Sequence, residues 1–163
     1  MKPGVEQVLA ALPPVFLKPN LALRKSVSEA VLSAFAAIPF DWDGASCIDL
    51  AHAQARGMGH AVPPVPRFRT AKGALRALRK RGVADVPALL DQWFDRHTAP
   101  AFAQIGDLLA LPGETEAGLP DHRLVSIGIA DGRGNWSGWH GAHPGGVTTV
   151  KFAESHFIAA WKL

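Results

Sequence analysis

Helical periodicity fills the first two thirds of the chain, and β-branched runs punctuated by glycine fill the last third. The character changes near Pro100. This order predicts an α+β fold in which helices pack against one antiparallel sheet. The hydrophobic share of 48% against 19% charged residues is that of a globular chain with a core, not of a disordered one. Thirteen prolines and 16 glycines keep the elements short and the connections many. The domain reading is an N-terminal arm over residues 1–25 and one domain over residues 26–163.

The elements follow from local signals. Residues 5–12 suit a short helix ended by Pro13 and Pro14, and residues 15–23 read as an extended or irregular arm with a turn at Pro19-Asn20. Residues 26–37 suit a helix with Val27, Ala30, Val31 and Ala34 on one face, which Ile38 continues, and Pro39 stops the run. Ser46 is a good N-cap for a helix over residues 46–58, and Asp49 completes a capping box. Thr70 caps a helix over residues 71–81. Asp85 caps another, with Pro87 in its first turn and Leu89, Leu90, Trp93 and Phe94 on its apolar side. Arg76, Arg79, Lys80 and Arg81 read as a solvated face.

Past Pro100, residues 105–111 look like a turn leading into a strand, and residues 112–121 a polar loop. Residues 124–130 are an apolar, β-branched strand. Asp131-Gly-Arg-Gly134 signals a hairpin, with residues 135–140 as the returning strand. Gly145-Gly146 reads as a further turn, residues 147–152 as a strand, and residues 158–163 as the last strand. Trp136 and Trp139, three apart on a strand, point to opposite faces, which leaves one exposed for a partner subunit to cover.

Cys47 is the only cysteine, so the chain has no internal disulfide. It falls in the first turn of its helix, where unpaired N–H groups and the dipole favour a thiolate. The same position shares a helical stripe with Leu50, Ala51, Ala55 and Met58, and Asp43 and Asp49 oppose ionisation, so a small buried hydrophobe is the competing reading. A formal charge of +3 does not argue for nucleic acid. No stretch reaches the length of a membrane span, and the first residues do not read as a secretory signal.

These pieces, in this order, resemble the NlpC-type, papain-like cysteine peptidases that cleave bacterial cell walls. The matching residues are Cys47-Ile-Asp-Leu50, Gly106-Asp-Leu108 and Ser126-Ile-Gly-Ile-Ala-Asp-Gly132. The chain is more similar still to a group of phage-tail proteins of unknown function that look like shrunken relatives of that family. They share a Pro-Phe-x-Trp-Gly-x-x-x-Cys opening, seen here as Pro39-Phe-Asp-Trp-Asp-Gly-Ala-Ser-Cys47 with one residue, Asp43, between Trp42 and Gly44. They also share a central Gly-Ala-x-x-x-Leu-x-x-x-Gly helix, here residues 73–82, and an ending in Ala160-Trp-Lys-Leu163. The resemblance spans residues 32–163.

The resemblance implies a papain-like, NlpC-like fold and makes Cys47 the candidate nucleophile. The family's histidine position is Ser126, whose hydroxyl takes no proton near neutral pH, and the family's Asp-Cys pair is Ser46-Cys47. His122 and His140 are the substitute bases to be tested. His52 lies off the Cys47 face of its helix. Trp139-His-Gly-Ala-His143 is a weak metal signal without a third ligand, and no cofactor or metal is expected. The expectation is therefore a structural component of a phage tail tip, made in the host cytoplasm without a signal peptide, that docks other tail proteins. The alternative is an active endopeptidase that opens host peptidoglycan as DNA enters. A chaperone of tail assembly is a third reading.

Overall fold

The computed structural model describes residues 20–115, 117–141 and 143–163. The expected helix over residues 5–12 and most of the expected arm lie outside them. The elements are α1 (Leu21–Phe35), α2 (Cys47–Gly57), α3 (Ala71–Lys80) and α4 (Val86–Asp91), then β1 (Leu108–Glu114), β2 (Pro120–Ala130), β3 (Asn135–His140), β4 (His143–Lys151) and β5 (Ala159–Trp161). Short 3-10 turns occupy Pro100–Phe102 and Glu154–His156. The fold is α+β, with the helices packed on a five-stranded antiparallel sheet of order β4-β3-β2-β1-β5.

Sequence signals set most helix ends. The side chains of Thr70 and Asp85 accept from Gly73 N and Ala88 N at 3.1 and 2.7 Å, as N-caps should. The start of α1 differs from expectation. It begins at Leu21, not residue 26, because Asn20 Oδ1 caps Leu23 N at 2.9 Å. This earlier start brings Arg24 into register with Ser28, Val31 and Phe35 on the buried face.

Alternation along the strands makes two cores. Leu108, Ala110, Val125, Ile127, Ile129 and Trp161 face the helices, where they meet Val27, Phe35 and Leu50. Leu109, Leu111, Ala130, Trp136 and Ala160 form a smaller cluster on the far face, covered by Ala103, Phe152 and Phe157. The two tryptophans of β3 do take opposite faces, but neither is exposed. Trp139 joins the helix-side core and Trp136 the far one, because the far face carries its own apolar cover.

Two further expectations are corrected. The loop between β1 and β2 is short, since both strands run past the expected boundary and pair as Gly113↔Asp121 and Glu114↔Pro120. Gly145-Gly146 is not a turn but lies inside β4. A Cβ on Gly146 would sit 1.9 Å from the Ala36 carbonyl oxygen, so this glycine marks a close approach to the end of α1.

Candidate functional site: an apolar cavity beside Cys47

The segment before α2 aims Cys47. Asp41 and Ala45 pair as an isolated bridge, and Gly44 closes the turn at φ 98°, a conformation that side chains resist. Ser46 then caps α2. Its N–H and hydroxyl donate to Asp49 Oδ2 at 2.9 and 2.6 Å, and Asp49 N donates back to Ser46 Oγ at 3.4 Å. The capping box read from the sequence is therefore formed, and Cys47 is the first helical residue.

Cys47 is half-buried, and its Sγ lies 3.6 Å from the Val125 carbonyl oxygen, to which the thiol donates. Burial pushes its pKa up, and Asp49 adds to that; a backbone hydrogen bond with Ile127 and those of the first helical turn act in the opposite sense. The thiol is thus held protonated, despite the helix N-terminus. The sulfur stands on the wall of a cavity of ≈ 210 Å³. Phe40, Trp42, Phe68, Trp93 and Trp139 supply aromatic walls, and Ile48, Leu78, Val86 and Leu89 aliphatic ones. Phe40 and Trp42 meet edge to face at 5.0 Å, and Phe40 meets Trp139 at 6.0 Å. Trp139 Nε1 donates to the Ile38 carbonyl at 2.8 Å, which fixes its ring against the stretch before α2.

Ser126 comes to the same cavity, and among the described residues no histidine lines it. His122 is exposed toward the start of β2. His140 ends β3, with its ring 5.7 Å from that of Phe152, which covers the far face of the sheet. The structure brings Cys47 and Ser126 together and places neither His122 nor His140 in the cavity wall. His52 lies on α2 against Ile48, Ala55 and Leu90, and its buried Nε2 has no hydrogen-bond partner. Burial lowers its pKa, with Arg56 adding to the effect.

The Gly106-Asp107-Leu108 segment serves another purpose. Asp107 is 2% exposed and accepts from Arg24 Nη2, Leu163 N at 3.0 Å and Gln104 N at 2.8 Å; His97 Nε2 lies 2.8 Å from its second oxygen. Arg24 also donates to the carbonyls of Ile105, at 2.7 Å, and Leu163. Beside this network, Gln54 Nε2 donates to Ser28 Oγ at 2.9 Å and the Gly106 carbonyl at 3.1 Å. The motif thus ties α1, α2 and the end of the sheet, and the cavity lies elsewhere. Sequence reading missed this network. Its one available signal was the Arg24–Ser28–Val31–Phe35 spacing, which continues the apolar stripe of α1 upstream.

A family model described as a domain of unknown function (DUF6950) matches residues 21–163. No curated protein matches the chain. Among the described residues, no helix is long and apolar enough to cross a membrane.

Proposed function

The chain belongs to the DUF6950 family, whose description assigns no activity, and on that premise we propose that it is a structural component of a phage tail tip or tail-like particle. On this reading it carries a degenerate papain-like, NlpC-like peptidase fold and acts by docking to other tail proteins. The observation that carries the proposal is the thiol's surroundings. Cys47 stands at a capped helix start beside a cavity, as a nucleophile would. Its proton goes to a backbone carbonyl, its pKa is raised, and the residue at the family's histidine position is Ser126. A thiol without an imidazole beside it lacks the usual means to attack an amide near neutral pH. What remains is a rigid frame with an aromatic recess, which is suited to contact.

Mass spectrometry of purified particles from a phage that encodes the chain tests this reading. The chain is expected in mature tails at stable copy number. Its presence in lysates and absence from particles would favour a chaperone of assembly instead. The competing endopeptidase reading keeps Cys47 as nucleophile with His122 or His140 as base. A muropeptide digest comparing wild type with Cys47→Ala separates the two. The structural reading expects no product from either, and product from wild type alone would restore the enzyme.

A further inference from the structure

We infer that the cavity beside Cys47 is an anchor pocket for one aromatic or branched aliphatic side chain of a docking polypeptide. This rests on the docking reading above and specifies where docking occurs and by what chemistry. Size comes first. An engineered cavity of about 150 Å³ lined by aliphatic and aromatic groups stays dry and takes benzene. At ≈ 210 Å³ this one has room for a ring or a leucine-sized group. Its walls are the second argument. Phe40, Trp42, Phe68, Trp93 and Trp139 offer ring edges and faces, which favour an aromatic guest beyond simple burial. The sulfur of Cys47, its proton engaged by Val125, presents a polarizable surface of the same character.

The polar groups select a polypeptide. Arg81 and Glu114 line the cavity with opposite signs. Arg81 is held in place, donating to the Pro64 carbonyl at 2.9 Å and lying 5.8 Å from the Trp93 ring centre. One cationic and one anionic side chain on the wall of an apolar recess suit a peptide, which brings donors and acceptors without net charge. A fatty acid would meet Glu114 as well as Arg81. Among the described residues, the other large exposed apolar side chains, Leu21, Phe102 and Leu119, lie on separate segments, whereas Phe40 is exposed beside the recess. Interface energy concentrates in such desolvated pockets rather than in scattered contacts.

The single cysteine makes the pocket readable, because alkylation of Cys47 by iodoacetamide reports whether the cavity is filled. With the full chain, N-acetyl-tryptophanamide or N-acetyl-leucinamide is expected to slow alkylation about fivefold once present at about four times its Kd. N-acetylglycinamide should leave the rate unchanged. Ala77→Phe, which fills the recess from α3, should abolish the protection while the thermal transition stays cooperative; Ala74→Leu is the second such variant. No protection by either bulky amide at solubility would overturn the inference. So would equal protection by octanoate, or protection that persists in folded filled variants. If the amides fail while the chain still assembles into tails, docking lies on another surface and the pocket assignment is wrong. Protection in a chain found in no tail would keep the pocket and remove the tail reading.

Discussion

At the residue scale, Cys47 and Gly128 show how neighbours override intrinsic character. A helix N-terminus alone would lower a thiol's pKa, but burial is the largest influence here and raises it, with Asp49 acting in the same sense. The pH profile of Cys47 alkylation should therefore inflect above that of a peptide thiol, and the rate near neutral pH should be lower. A profile shifted below the peptide's would mean that the thiolate is stabilised after all. Stability follows the same sign. The folded thiol keeps its proton where the unfolded one loses it, so this contribution is complete at neutral pH and declines as pH rises past the ordinary thiol value. Gly128 of the Ser-Ile-Gly-Ile step is fixed by contact, since a Cβ there would lie 2.4 Å from the Trp136 ring. Gly128→Ala should cost about 1–3 kcal/mol in urea unfolding, as overpacking does. That cost should shrink only in part in a Trp136→Leu background, because the Ser137 carbonyl oxygen would still lie 2.6 Å from the added Cβ.

Among the elements, α2 carries both the candidate site and a pH response. Ser46→Ala removes the capping side chain, and the expected loss is about 1 kcal/mol by urea denaturation. A variant as stable as wild type would show that packing alone sets the helix start. His52 on α2 and His60 just beyond it are both lowered in pKa, in each case chiefly by burial, with Arg56 and Arg24 respectively adding to it. The unfolded chain takes up protons near the ordinary imidazole value of about 6.5, while the folded chain resists until lower pH. Stability is therefore expected to fall as pH drops below that value, and His52→Leu should flatten the decline. Unchanged melting temperatures between pH 7 and 5, on a scale of about one imidazole's linkage, would contradict this.

For the whole molecule, the Arg24–Asp107 pair joins the first helix to the sheet and to Leu163. Both side chains are buried, so removing one leaves the other charged and unpaired. Asp107→Ala should cost about 3–5 kcal/mol by denaturant titration. Replacing both, as Arg24→Met with Asp107→Leu, should recover part of that loss, because no isolated charge then remains. An Asp107→Ala chain that unfolds at wild-type denaturant concentration would show that the network contributes little.

Local chemistry by itself determined the α+β order, the caps at Ser46, Thr70 and Asp85, the hairpin at residues 131–134 and the place of Cys47, because each depends on residues a few positions apart. Tertiary structure alone decided the rest. Whether an imidazole reaches Cys47 depends on how β2 passes α2. Trp42, Phe68, Trp93 and Trp139 share one cavity only after four separate segments pack, and Arg24 finds Asp107 across 83 residues. Gly146 likewise reads as a turn signal until the end of α1 is laid against it. Short-range spacing encodes hydrogen bonds along the backbone, whereas the surroundings of a side chain are set by elements that come together only on folding.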